Sequence, residues 1–188
     1  MIVEILQGII STLWLMLPIY IPNPAAVLFR GKLPMDFGKK FIDGRRILGR
    51  GKTWRGFFGG ALSGFAFGLI QNGISFYLPG KWFPYFSRSW ILAAGLLLTM
   101  SFGSMLGDLT GSFIKRRLGI ESGSKAFLLD QLTFVVVAWL ILYSLFSAWF
   151  VEHFWNVVSL ATVFILTPII HRAVNILGYK LKLKEVPW

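Results

Sequence analysis

The sequence has no cysteine, two histidines and eight acidic residues in 188 positions. The missing cysteine rules out disulfides, thiolate metal ligands and a cysteine nucleophile. Two histidines are too few for a multi-histidine metal centre. No GxSxG, HExxH or Cys–His arrangement occurs, so the hydrolase and protease chemistries that use them have no carrier. Charge of either sign is scarce: 14% of residues are charged, against about a quarter in ordinary soluble domains.

What fills the sequence instead is apolar. Hydrophobic residues make up 55% of the chain, with 18 Phe and eight Trp, and the mean hydropathy is +0.67. Long apolar runs flanked by aromatics are the pattern of a bilayer-embedded helical protein. The runs predict an all-α integral membrane protein. It has five transmembrane helices, near 3–21, 56–78, 90–107, 127–150 and 154–178, in one membrane-embedded domain, 1–188. At about 1.5 Å per residue, each run is close to the ~30 Å of a bilayer core. The first reads as a retained span, because Glu4 replaces the basic start of a signal peptide and Pro22, Asn23 and Pro24 follow the run. Residues 151–153 read as a tight turn. Gly56, Gly60, Gly64 and Gly68 line one face of the second span, and Gly103, Gly107 and Gly111 repeat that spacing in and just beyond the third. Small residues every fourth position let helix backbones approach closely, so the third span is expected to pack against the second.

The net charge of +11 is unevenly placed. Seventeen of the 19 Lys and Arg fall in residues 22–55, 108–126 and 171–188. The positive-inside rule puts these segments in the cytoplasm, with the N-terminus outside and the C-terminus inside. Membrane topology thus accounts for the charge, and a nucleic-acid partner is not needed. The same assignment collects Asp36, Asp43, Asp108, Asp130, His171 and Asn175 at the cytoplasmic face. His171, Arg172 and Asn175 fall broadly on one face of the fifth span.

Asp108 and Asp130 stand at the edges of apolar runs, where a carboxylate is costly without a function. Between them lie Lys115, Arg116, Arg117 and Lys125 in a Gly/Ser-rich segment. If helix continues past Asp108, then Asp108, Ser112 and Lys115 share a face. Carboxylates for a hard cation beside cations for phosphate suit Mg²⁺, which binds through one or two carboxylates together with substrate phosphates. Asp108 and Asp130 are the candidate metal ligands, with Ser112, Lys115 and Arg116 as phosphate contacts. GRGKTWRG, residues 49–56, lacks the GxxxxGK[ST] spacing and follows no strand, so it is no P-loop. Its Lys52, Thr53 and Arg55 remain candidate phosphate contacts on a loop.

SFIKRRLG (112–119) followed by a distal aspartate resembles the signature of the phosphatidate cytidylyltransferases. With PMDFGKKFIDGRRILGRGKTWRG (34–56), GDLTGSFIKRR (107–117) and LLDQ (128–131), the chain is most similar to their archaeal branch, the CDP-archaeol synthases. It departs from the wider signature at three places: the Pro-Gly-His-Gly-Gly run is absent before Asp130, Gln131 stands where Arg is usual, and Thr133 where a second Asp is usual. That shifts weight to Asp108, with Asp43 or Asp36 as helpers.

The resemblance implies transfer of a cytidylyl group from CTP to an isoprenoid ether-lipid phosphate, with Mg²⁺ as cofactor, at the cytoplasmic face of the cell membrane. It implies catalytic roles for Asp108, Asp130 and Lys115. It implies triphosphate contacts from Lys52, Arg55, Lys115 and Arg116, with Thr53 and Asp43 beside them, and lipid-phosphate contacts from Arg45 and Arg46. The alternatives are the same chemistry on ester-linked phosphatidate, or a non-catalytic scaffold binding anionic membrane lipids. A transporter would need polar residues through the depth of the membrane. A CDP-alcohol phosphotransferase would need a full DGxxAR motif, of which Asp43–Arg46 is only a partial echo.

Overall fold

The structure is a computed structural model and describes residues 1–184, 186 and 187. Among these are seven helices: α1 (Ile2–Tyr20), α2 (Pro22–Leu28), α3 (Trp54–Ser75), α4 (Trp90–Arg117), α5 (Leu129–Leu145), α6 (Ser147–Phe154) and α7 (Val157–Lys180). No strand forms among the described residues beyond two isolated bridges, Pro34 with Thr53 and Lys40 with Arg46. Helix starts are set by side chains taking up orphan backbone donors. Thr53 accepts from the Gly56 N–H, Ser89 from Leu92 and Asn156 from Ser159.

Among the described residues four helical stretches are long and apolar enough to cross a membrane: Ile2–Leu28, Trp54–Ser75, Trp90–Arg117 and Val157–Lys180. α5 is apolar but has only 17 residues, about 26 Å of helix. The chain bends at Phe146 (φ −137°, ψ 50°) and goes on as α6. Aromatic anchoring favours the bend: the Trp149 indole N–H donates to the Phe86 carbonyl at 2.9 Å, and its ring stacks on Phe86 and His153. The expected fourth span is thus a helix pair. The turn expected at 151–153 instead lies inside or just before the end of α6, and the chain turns at Trp155–Asn156.

One further boundary and one packing partner differ from the sequence expectation. The helix of the third span does not end at 107. α4 runs on to Arg117, so the loop expected at 108–126 shrinks to residues 118–128. The glycine stripes also divide their partners. Built Cβ atoms on Gly60 and Gly64 would lie 2.5 Å from the Pro22 carbonyl oxygen and 2.9 Å from Ser101 Oγ, so the α3 stripe faces α2 and α4. Those on Gly103 and Gly107 would lie 2.9 Å from Ala138 Cα and 2.5 Å from Phe134 Cα, so the α4 stripe faces α5 rather than α3. Close packing against α5 is what keeps α4 helical through Gly107 and Gly111, which alone would cost about 1 kcal/mol each against alanine. The core around these contacts is apolar, with Leu96, Leu97, Met100, Val135, Ala138 and Leu142 all fully buried.

The polar segment between α2 and α3 is folded around one carboxylate. Asp36 is completely buried at its side chain. It accepts from Arg46 Nε at 3.1 Å and Nη2 at 2.6 Å, and from the backbone N–H groups of Gly38 and Leu48. Burial pushes its pKa up, but the Arg46 guanidinium and the two N–H groups outweigh that and hold it below the usual carboxylate range. A lowered carboxylate pKa gives stability that is complete above the unfolded value, about 3.9, and is lost as pH falls through the folded one. Arg46→Met would leave a buried carboxylate without its cation and is expected to cost about 3 kcal/mol. Loss of protection of residues 36–48 in amide exchange, with the helices unaffected, is the reading that checks it.

Candidate active site

The ends of the helices meet around a cavity of about 1200 Å³, large enough for a nucleotide and more. Tyr20 closes α1, Asn23 and Ala26 come from α2, and Gly56 and Phe57 from the start of α3. The second half of α4, the start of α5 and the end of α7 complete the walls. Phe57, Met105, Leu109, Phe134 and Ile170 give the wall apolar patches, and Lys52, Asp108, Lys115, Arg116 and Asp130 line it as well.

Asp108 and Asp130 both line this cavity, and each is held by a lysine. Lys52 Nζ donates to both Asp108 oxygens, at 2.7 and 2.6 Å. Lys115 Nζ donates to Asp130 Oδ1 at 2.8 Å and to the Ser124 carbonyl at 2.6 Å, while Asp130 Oδ2 accepts from the Ala126 N–H at 2.9 Å. The continuation of α4 puts Asp108, Ser112 and Lys115 on one helix. The α4–α5 contact through Gly107 and Gly111 brings Asp130 to Lys115. Among the described residues no cluster of three or more His, Cys, Asp or Glu side chains exists. Two carboxylates are nonetheless a sufficient protein share for Mg²⁺, whose remaining positions go to phosphate and water. The donor set therefore fits that ion.

The loop 45–53 forms the facing wall and is bolted to α4. The Gly49 N–H donates to Ser112 Oγ at 3.1 Å and the Arg50 N–H to Ser122 Oγ at 3.2 Å. The Arg117 guanidinium lies over the edge-to-face pair Phe41 and Phe113, 4.7 and 4.9 Å from their centroids, and donates to Asp43 at 2.7 Å. Arg45 Nη1 donates to the Arg117 carbonyl at 2.8 Å, satisfying an orphan acceptor at the end of α4.

The residues singled out in the sequence therefore separate. Lys52, Ser112, Lys115, Arg116, Asp108 and Asp130 face the cavity. Thr53 is on its wall, but its hydroxyl is taken up by the Gly31 and Gly56 N–H groups, an architectural task. Arg45 and Arg46 reach the wall while bound to backbone carbonyls and to Asp36. Asp43 and Arg55 stand outside the described cavity wall, Asp43 on Arg117 and Arg55 exposed on the first turn of α3. Asp36, the other proposed helper, is committed to the loop. Sequence reasoning assigned no role to Arg30, Arg50 and Lys184, which also line the cavity. Arg30 and Arg50 stood among topology charges, and Lys184 looked like part of a basic tail.

Known proteins resemble this chain over nearly its whole length. The family model of CarS-like CDP-archaeol synthase matches residues 3–188. A CDP-archaeol synthase of Archaeoglobus fulgidus is 44% identical over 189 residues, covering 97% of this chain and 99% of its own. One of Methanospirillum hungatei is 48% identical over 175 residues, covering 92% and 100%. A solved structure described as an intramembrane enzyme for archaeal membrane lipids biosynthesis superposes with a TM-score of 0.65 at 34% identity, over 87% of this chain and 92% of that one. With matches of this extent and identity, the chain belongs to the CDP-archaeol synthase family.

Proposed function

We propose that this protein is a multi-pass membrane enzyme that transfers a cytidylyl group from CTP to the unsaturated archaeal ether-lipid phosphate, giving CDP-archaeol and pyrophosphate. The observation that carries the reading is one cavity lined by two lysine-held carboxylates, further cations and apolar side chains. Such a cavity suits a molecule with a phosphate head and isoprenoid tails beside a nucleotide triphosphate. An oxygen of the lipid phosphate attacks the α-phosphorus of CTP. The bond from that phosphorus to the oxygen bridging to the β-phosphorus breaks, and pyrophosphate leaves with the electron pair. The nucleophile needs no strong base, because a phosphate monoester has its second pKa near 6. The protein's work is positioning and charge stabilisation. Lys52, Lys115 and Arg116 supply cations for the triphosphate. Asp108 and Asp130 would hold Mg²⁺, which when bound neutralises phosphate charge and orients the α-phosphorus.

The polar ends lie where α1 and α7 finish and α3 and α5 begin. That arrangement agrees with five crossings, the α5–α6 pair serving as the fourth. The excess of Lys and Arg at this end supports a cytoplasmic site and an outside N-terminus.

The test is purified protein in liposomes with labelled CTP, Mg²⁺ and either the ether-linked isoprenoid lipid phosphate or phosphatidate. CDP-lipid and pyrophosphate are expected with the ether lipid, and none when Mg²⁺ is chelated. Product with phosphatidate alone would keep the chemistry and replace the substrate. A folded protein that makes neither product would instead be a lipid-binding scaffold.

A further inference from the structure

α7 ends at Lys180, yet the chain beyond it does not leave the site. Lys182 takes a left-handed conformation (φ 59°), and the N–H groups of Leu183 and Lys184 both return to the Gly178 carbonyl, at 2.9 and 3.3 Å. The fold-back lays the Lys184 side chain along Gly178, where a built Cβ would stand 3.3 and 3.4 Å from its Cδ and Cγ. The ammonium then donates to Asn175 Oδ1 at 2.7 Å, and Asn175 Nδ2 lies 3.3 Å from His171 Nδ1. All four residues line the cavity. They make a polar strip on α7 that the carboxylate-and-lysine pairs of α4, α5 and the loop do not account for.

We propose that Lys184 is a substrate-binding residue that reaches over the cavity from the folded-back tail and holds a phosphate group of one of the two reactants, with Asn175 and Gly178 positioning it. This rests on the cytidylyl-transfer reading and extends it. A lysine kept half-buried on a built fold-back is not an ordinary solvated tail charge, because holding the long side chain costs conformational entropy that a free surface lysine avoids. Its pKa is lowered, first by burial and then by Lys52 across the cavity, with Asp108 and Asp130 acting the other way. A phosphate reaching this part of the cavity would find the ammonium already aimed by Asn175, and a charge-assisted hydrogen bond to it is strong. The ligand chemistry is a phosphate, from either the nucleotide or the lipid, and the experiment separates the two.

Lys184→Gln is to be compared with wild type in steady-state transfer, varying CTP and lipid phosphate separately, and in equilibrium binding of CTP with Mg²⁺. The expected result is a rise of about ten- to hundredfold in KM for one reactant, the scale of one lost charge-assisted hydrogen bond. A rise for CTP with weakened CTP binding assigns the nucleotide phosphates. A rise for the lipid with CTP binding unmoved assigns the lipid phosphate. Lys184→Arg is expected to restore most of the affinity. Gly178→Val, which crowds the lysine stem without changing its charge, is expected to move the same KM. The exposed Lys182 gives the control, since Lys182→Gln removes equal charge two residues away. Unmoved KM values in Lys184→Gln, a fall in kcat alone, or an equal effect from Lys182→Gln would overturn the proposal. An inactive wild type would overturn both readings, whereas an active wild type with an unmoved variant would overturn only this one.

Discussion

Asp108→Asn is expected to lower cytidylyl transfer about a thousandfold or more, a size associated with removing a main charge-stabilising element from a polar-transfer site. The change is nearly isosteric. One oxygen still accepts from Lys52, but the negative charge that would hold Mg²⁺ is gone, and Lys52 loses its counter-anion. The fold has little reason to suffer. The Lys52 and Asp108 side chains are 28% and 30% exposed, and a pair at that exposure contributes about 1 kcal/mol at most. Asp130→Asn is a poorer test, because Asp130 also accepts from the Ala126 N–H in the segment leading into α5, so local structure and chemistry would be lost together. Transfer rates at saturating CTP and Mg²⁺, with elution volume and thermal midpoint in detergent, check the prediction. A wild-type rate in a folded Asp108→Asn protein would remove Asp108 from the metal assignment and with it the main support for a two-carboxylate site.

The parts legible in the sequence were those written as periodicity or as a costly residue. Apolar runs gave helices because a continuous apolar run of about 20 residues satisfies its own backbone in lipid only as a helix. Asp108 and Asp130 stood out because carboxylates at the edge of hydrocarbon need a reason. The partners of Arg45, Arg46 and Asp43 were not legible. A guanidinium that ties a loop to a helix end and one that waits for a phosphate have the same neighbours in sequence. What tells them apart is whether a carbonyl or carboxylate lies within reach, and Arg45 finds the Arg117 carbonyl while Arg46 finds Asp36. The extension of α4 was hidden for a related reason. Gly107, Asp108 and Gly111 look like a helix end, yet α5 lies so close that the glycines are packing residues instead. Lys184 was invisible because its importance depends on a backbone reversal at Lys182, for which a Leu-Lys-Leu-Lys tail carries no turn signal.

Gly107→Val is expected to be the most damaging single methyl-scale change in the bundle. A Cβ built on Gly107 would lie 2.5 Å from Phe134 Cα, 2.7 Å from the Thr133 carbonyl oxygen and 2.9 Å from that of Phe134. All three are backbone atoms, so no rotamer change relieves the clash and α4 must move away from α5. Overpacking in a close-packed interior costs about 1–3 kcal/mol where side chains can yield, and here about 3 kcal/mol or more is expected. In a membrane the loss is not made up by hydrophobic burial elsewhere, since helix association there depends on close van der Waals contact. The same displacement separates Lys115 on α4 from Asp130 on α5, so activity should fall with stability and excess Mg²⁺ or CTP should not restore it. Gly73→Ala provides the contrast, because its built Cβ meets only Trp90 Cη2 at 3.5 Å, an ordinary contact. It should be neutral or gain up to about 1 kcal/mol from helix propensity. Thermal midpoints of the two variants in one detergent, read beside transfer rates, decide the matter. Should Gly107→Val melt and turn over like Gly73→Ala, the tight α4–α5 contact would not be what holds the two carboxylates in one site.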